Sequence, residues 1–200
     1  MGATVPADSV AKMIVRLGWP ALTAHTVEDF QRGWALGTPL AVDGIAGPKT
    51  IAALQASIAR ANAHQSTASK HFSFTEFTCE CHGTYKDCRR IWVDRRLLKA
   101  LDVLRARFYP RGLTIASGCR CPRHNAAVGG AKASQHLNGL AADIPYATSW
   151  GNVAALRLFS GIGRSASTGK ARHVDLRHLL GNANPTGGKP TAPTLWEYAS

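Results

Sequence analysis

Three residues in the second half of the chain are of the types that bind zinc: His136, Asp143 and His173. A neutral imidazole and a carboxylate oxygen both suit this metal, and a catalytic zinc keeps three protein ligands and one open position for water. Asp143 stands between Ala142 and Ile144, where a buried carboxylate is costly unless it is paired or bound to a metal. These residues therefore predict a catalytic zinc site.

Asp175 follows His173 by two positions, in a segment that predicts a strand. Side chains two apart on a strand project from the same face of the sheet, so Asp175 is expected close to the metal. Two roles are open to it: the general base, or a carboxylate that orients the imidazole of a ligand. His178 is an alternative third ligand, in a register where Asp175 is the base.

Four motifs contain or flank these residues. They are Ser117-Gly118-Cys119-Arg120, the segment from Asn125 to Asp143, Gly161-Ile162-Gly163-Arg164 and His173-Val174-Asp175. Together they resemble the zinc D-alanyl-D-alanine carboxypeptidases, which share a fold with the L-alanyl-D-glutamate endolysins and the hedgehog signalling domain. The resemblance spans roughly residues 71–178 and implies a central antiparallel sheet flanked by helices.

The resemblance also implies roles for individual residues. It assigns the zinc ligands to His136, Asp143 and His173, and it assigns substrate binding to Arg120 and Ser134. An arginine fork can grip a substrate carboxylate through two parallel hydrogen bonds. Relatives place an acidic or imidazole group two or three residues before the third ligand, where this chain has Ala171 and Lys170. Asp175 is therefore the candidate base.

Residues 1–62 predict three short helices. Asp8 or Ser9 can cap the first, Thr26 can cap the second, and Pro48 suits the first position of the third. Phe30-Gln31 followed by the segment Val42 to Thr50 resembles the three-helix peptidoglycan-binding module of wall hydrolases. The alternative is a helical packing domain without a ligand.

Residues 63–70 are small and polar and predict a linker, and residues 71–200 then form the zinc peptidase domain. Asp94 can cap a helix that runs to about Phe108. Other elements are predicted from local patterns: strands at Leu113–Ala116, Leu140–Ile144 and Arg172–Leu176, a helix within Ala154–Phe159, and an irregular tail over Gly181–Pro193. The fold class is therefore α+β, with a small helical module before a hedgehog-like peptidase domain.

The net charge of +12 is concentrated in residues 65–200, which carry +11 of it. A basic surface attracts polyanions, which include nucleic acids and the anionic polymers of bacterial walls. Basic and aromatic residues do not alternate as they do in RNA-binding modules, so specific nucleic-acid binding is the weaker reading. The five cysteines, Cys79, Cys81, Cys88, Cys119 and Cys121, leave open disulfides, structural thiols or a second metal.

The sequence thus predicts a monomeric, endolysin-like peptidoglycan hydrolase that uses Zn²⁺. The alternative is a non-catalytic, zinc-stabilised wall-binding protein. No apolar run reaches the roughly 18 residues of a membrane span, and residues 1–19 lack the order of a signal peptide. Action in the bacterial cell wall or periplasm would follow holin-type release from the host cytoplasm if the protein is phage-encoded, or secretion otherwise.

Overall fold

The computed structural model describes residues 7–85, 88, 91–145, 148–183 and 188–198. The α-helices are α1 Ala7–Arg16, α2 Ala24–Gly33, α3 Pro48–Asn62, α4 Arg95–Phe108, α5 Pro122–Ala127 and α6 Trp150–Ala155. The strands are β1 Ala141–Asp143, β2 Gly161–Ser165, β3 Ala171–Asp175 and β4 Thr194–Tyr198. Single 3-10 segments cover Phe74–Phe77, Gln135–Asn138 and Arg177–Ala183. No helix among these residues is long and apolar enough to cross a membrane.

The three N-terminal helices form, but two of their starts differ from the prediction. Helix α1 begins at Ala7, so Asp8 and Ser9 lie inside it. Helix α2 is capped by Thr23, whose hydroxyl accepts from the backbone N–H of Thr26 at 3.1 Å, while the Thr26 hydroxyl contacts the Thr23 backbone nitrogen at 2.9 Å. Thr26 is thus the third residue of a capping box and not the cap.

Gln31 of α2 makes hydrogen bonds to the loop motif that links α2 to α3. Its side chain is 1% exposed, and its Oε1 accepts from the backbone N–H groups of Asp43 and Gly44, both at 3.0 Å. Its Nε2 lies 2.8 Å from Asp43 Oδ1, 3.0 Å from the carbonyl of Ile45 and 3.1 Å from the hydroxyl of Thr50. The motif therefore holds the loop in place, whatever else it does.

The segment predicted as a linker is packed between the two halves of the chain. Thr67, Ala68 and Ser69 are buried. The hydroxyl of Ser57 in α3 donates to the carbonyl of Thr67 at 2.9 Å, and Ser69 donates to Asp102 of α4 at 3.1 Å. A solvent-exposed spacer would make none of these contacts, so this segment is part of the packed interior between the halves.

Trp19 shows that the halves share one apolar core. Its indole N–H donates to the carbonyl of Ile91 at 3.0 Å. Its ring lies 4.9 Å from that of Phe74, and Phe74 also contacts Phe30 of α2. The buried cluster is continuous from α1 to β3.

The sheet has the order β1-β3-β2-β4. Strand β3 pairs antiparallel with both β1 and β2, whereas β2 and β4 are parallel. The expected all-antiparallel sheet is therefore wrong at one edge, where the chain returns after the 3-10 segment and adds β4 alongside β2. Helix α6 contacts β2.

Two local predictions are wrong. Leu113–Ala116 is not a strand, because this stretch meets β1 only at its end, where Ala116 N donates to Asp143 O at 2.8 Å and Ser117 forms an isolated bridge. Helix α6 begins at Trp150, with Ser149 as its N-cap, and ends at Ala155. Most of the segment Ala154–Phe159, which was predicted to be helical, therefore lies beyond its end. Of the tail predicted as irregular, residues 184–187 lie outside the described part of the chain.

Candidate metal centre

His136, Asp143 and His173 converge on one point. Asp143 ends β1 and is paired with His173 of β3 in the sheet register, while His136 lies in the 3-10 segment Gln135–Asn138. His136 Nε2 lies 3.2 Å from His173 Nδ1. Asp143 Oδ1 lies 3.3 Å from the former atom and 2.9 Å from the latter. Two imidazole nitrogens and one carboxylate oxygen therefore form a donor set that fits zinc.

Hydrogen bonds on the far side of each ring select the nitrogen that faces this point. His136 Nδ1 lies 2.5 Å from the carbonyl of Gly118, and His173 Nε2 lies 3.1 Å from Asp175 Oδ2. Because a carbonyl and an ionised carboxylate only accept, these two ring nitrogens carry the hydrogens. His136 Nε2 and His173 Nδ1 are left with lone pairs for a metal.

The two carboxylate oxygens of Asp143 have different partners, because Arg120 binds one and the histidines face the other. The guanidinium of Arg120 binds Asp143 Oδ2, and its Nε donates to the hydroxyl of Ser117 at 3.1 Å. Asp143 Oδ1 stays turned toward the histidines. The residues of Ser117-Gly118-Cys119-Arg120 thus support the ligands directly: Ser117 bridges to Asp143, Gly118 orients His136, and Arg120 holds the carboxylate.

Asp175 is fully buried behind His173. Arg177 donates to its carboxylate from the backbone N–H at 3.0 Å, from Nε at 2.9 Å and from Nη2 at 2.6 Å. A Cβ on Gly161 of the neighbouring strand would lie 2.4 Å from Asp175 Oδ2 and 2.5 Å from Arg177 Nε. Gly161 therefore leaves the space that this pair needs.

Until a metal binds, the imidazole nitrogens that face Asp143 can instead carry hydrogens, which a metal would displace. The pKa shifts describe that protonated form. Burial alone would raise the pKa of Asp143 and of Asp175, but hydrogen bonds from the histidines and, at Asp175, from Arg177 lower both well below the ordinary range. Burial lowers the pKa of His136. Burial also acts to lower the pKa of His173, but hydrogen bonds to Asp143 and Asp175 outweigh it and raise that pKa.

An open cleft of about 720 Å³ surrounds the three ligands. Arg120 and Ser134, assigned to substrate binding by resemblance, both line it. His178 instead directs Nδ1 to the hydroxyl of Ser160 at 2.9 Å. The structure therefore brings His173, and not His178, to the other two ligands.

Several cleft residues were not singled out in the sequence: Glu80, His124, Arg172, Trp196 and Tyr198. The Trp196 ring lies 5.0 Å from that of His173, with the Arg177 guanidinium carbon 4.7 Å from its centroid. A Cβ on Gly163 would lie 2.8 Å from Trp196 Nε1, which explains the second glycine of the Gly161–Arg164 motif. The alternating Leu195-Trp196-Glu197-Tyr198 was a strand signal, but nothing local connects it to the metal ligands.

Comparison with known proteins agrees with this geometry. The model of the peptidase M15 family matches residues 70–179, which include all three ligands, Arg120 and Asp175. A search of curated proteins found no match. Because the match covers more than half of the chain and its family is one of zinc-dependent peptidases, the chain belongs to the peptidase M15 family of metallopeptidases.

Proposed function

We propose that the protein is an endolysin-like peptidoglycan hydrolase that cleaves a peptide bond in the stem peptide or in a cross-link. The observation that carries the proposal is the convergence of His136 Nε2, Asp143 Oδ1 and His173 Nδ1 at the base of an open cleft. Membership in the M15 family supports a zinc peptidase that acts on substrates of the peptidoglycan type.

The three ligands would hold the zinc on one side and leave its cleft side free. A bound zinc supplies Lewis-acid chemistry, since it lowers the pKa of a water and polarises the scissile carbonyl. The protein's own contribution is to keep the ligand atoms aligned. Gly118 and Asp175 fix the two rings, and Arg120 fixes the carboxylate.

Of the two roles open to Asp175, we assign it the positioning one. Its carboxylate contacts His173 and Arg177, its side chain is fully buried, and its pKa is held low. A carboxylate with these partners is a weak proton acceptor that substrate cannot reach. It suits the orientation of His173 and raises the basicity of that ring as a metal ligand.

Glu80 is our candidate for the general base. It is exposed and lines the cleft, whereas Asp143 and Asp175, the other acidic residues among the described lining, are engaged by arginines. A carboxylate that lines the cleft and has no arginine partner among the described contacts can take a proton from the attacking water and pass it to the leaving amine.

Substrate carboxylates would meet positive charge on two walls of the cleft. Arg120 and Ser134 lie on one wall, as the resemblance implies. Arg172 is exposed on β3 and has its guanidinium carbon 5.7 Å from the centre of the Tyr198 ring. Because Arg120 also binds Asp143, Arg172 is the cation whose removal should weaken substrate binding without disturbing the metal ligands.

The N-terminal helices would bind the wall and so raise the local concentration of substrate. Their likeness to the wall-binding module supports this. The excess of positive charge lies in residues 65–200 and would separately attract the peptidase domain to anionic wall polymers. We expect a monomer without specific nucleic-acid binding.

The test is digestion of purified peptidoglycan by the zinc-loaded protein. New amino termini should accumulate, chelation should stop their release, and mass spectrometry of the fragments should name the bond. Binding to the wall without any new amino terminus would instead favour the non-catalytic, zinc-stabilised binding protein.

A further inference from the structure

We propose that Cys79, Cys81, Cys88 and Cys121 bind a second zinc ion, in a structural site separate from the catalytic one. Their four sulfur atoms lie within 4.8 Å of one another, and all four side chains are buried. All five cysteines are free thiols in the structure, and none is paired in a disulfide.

The spacing of the sulfurs fits a tetrahedral ion. Cys79 Sγ lies 3.6 Å from Cys81 Sγ, and Cys81 Sγ lies 3.9 Å from Cys121 Sγ. Four thiolates at about 2.3 Å from a central zinc are about 3.8 Å apart along each edge of the tetrahedron. A disulfide would instead bring two sulfurs to about 2.05 Å. The cluster therefore has the size of an S₄ zinc site.

Backbone groups around the cluster favour thiolates. The N–H of Cys121 donates to Cys79 Sγ at 3.4 Å, and the N–H of His124 donates to Cys121 Sγ at 3.3 Å. Such bonds offset the negative charge that sulfur acquires when it loses its proton to bind a metal. Sulfur ligands alone, with no water-accessible position, are typical of structural zinc.

The fifth cysteine differs from these four. The thiol of Cys119 donates to the carbonyl of Phe77 at 2.7 Å. A thiol that keeps its proton for a carbonyl is not a ligand. Cys119 therefore provides a matched control, since it is equally buried and two residues from Cys121.

The site would hold one wall of the catalytic cleft. Thr78 and Ile91 pair with each other and close a loop that contains three of the cysteines. The fourth, Cys121, caps α5 directly after Arg120. An ion bound by the three loop cysteines and by Cys121 would hold the loop against this wall of the cleft. It would also position Glu80, which lies between Cys79 and Cys81 in the sequence. Sequence spacing alone hid the site because Cys121 is 40 residues from Cys81.

Zinc content of the full-length protein, purified under reducing conditions without chelator, tests the proposal. We expect two zinc ions per chain in the unaltered protein and in Cys119→Ser, and one in Cys88→Ser and in His136→Ala. A thiol-specific mercurial should release one zinc ion from His136→Ala and none from Cys88→Ser. These readouts do not depend on peptidase activity.

One zinc ion per chain that is lost in His136→Ala and retained in Cys88→Ser would overturn the proposal and leave the catalytic site intact. Intact mass without reductant gives a second measurement, because each disulfide removes two hydrogens. Disulfides among the four cysteines in the zinc-replete protein would also overturn it. If Cys88→Ser does not fold, the metal content of the unaltered protein and of His136→Ala still decides.

Discussion

His173 offers Nδ1 to the metal because Asp175 accepts the hydrogen of Nε2, and Asp175 is itself held by Arg177. The sequence predicts His173 and Asp175 as members of this chain of contacts, and the resemblance assigns His173 to the metal, but Arg177 was not predicted. It does not predict which ring nitrogen faces the metal, because that depends on a carbonyl and a carboxylate brought there by the fold.

Replacing Asp175 by Asn tests the positioning role. The amide cannot accept from both His173 and Arg177 as a carboxylate does, so the ring loses its fixed orientation. We expect zinc affinity to fall by roughly 10- to 100-fold, measured by competition with a chelating dye. Glu197→Gln, a change on the outer strand of the same sheet, is the control. Unchanged affinity in Asp175→Asn would contradict the role.

Replacing Glu80 by Gln tests the proposed general base without changing any metal ligand. A general base contributes roughly 10²- to 10⁴-fold to a rate, so we expect kcat on muropeptides to fall by at least about 10²-fold. Zinc content should not change, since Glu80 is not a ligand of either site. Activity within a few-fold of the unaltered enzyme would show that the proton is taken elsewhere.

Helices and strands were predicted close to their observed bounds where the residues within the element determine it. Helix α4 begins after Asp94 and ends at Phe108 as expected, because the cap and the apolar stripe both lie within it. Strands β1 and β3 also form close to their predicted bounds. Strand β4 was not predicted, although Leu195–Tyr198 holds a local strand signal; its place in the sheet depends on pairing with β2, which no local pattern shows.

The cap of α4 makes an acid-dependent contribution to stability. Burial would raise the pKa of Asp94, but hydrogen bonds from the side chain and backbone of Arg96 outweigh it and lower that pKa below its ordinary value of 3.8. A carboxyl whose pKa is lowered by folding stabilises the fold above its unfolded pKa, and this is lost as pH falls through the folded value.

We therefore expect Asp94→Asn to cost about 1 kcal/mol at pH 7, since Asn keeps the cap but loses the charge. The difference from the unaltered protein should shrink once the pH falls below about 4, the ordinary range of an aspartate. Urea unfolding at both pH values measures it. A difference that stays constant or grows on acidification would contradict the account.

For the molecule as a whole, the sequence predicted two domains and a linker, and the structure shows a shared core. Small polar residues usually mark an exposed spacer. Here the Ser57 hydroxyl donates to the carbonyl of Thr67, and Asp102 accepts from the backbone N–H of Lys70 and from the hydroxyl of Ser69. Such contacts join distant parts of the chain and have no local signature. The N-terminal helices consequently pack against the part of the chain that forms the cleft.

A shared core predicts one unfolding transition. We expect calorimetry to give equal calorimetric and van't Hoff enthalpies for the full chain. Trp19→Ala should destabilise the whole protein by about 3–5 kcal/mol, because it removes a buried ring that contacts both halves. Two separate transitions, of which Trp19→Ala shifts only the first, would show that the halves fold independently.

We propose that His136, Asp143 and His173 form the zinc centre through which the protein hydrolyses peptidoglycan. The most direct test compares His173→Ala with His178→Ala in the release of new amino termini from purified wall, with zinc content measured on the same samples. We expect His173→Ala to lose the catalytic zinc and at least about 10³-fold of the rate, and His178→Ala to keep both. Release that persists in His173→Ala, or that disappears in His178→Ala together with the catalytic zinc, would contradict the proposal.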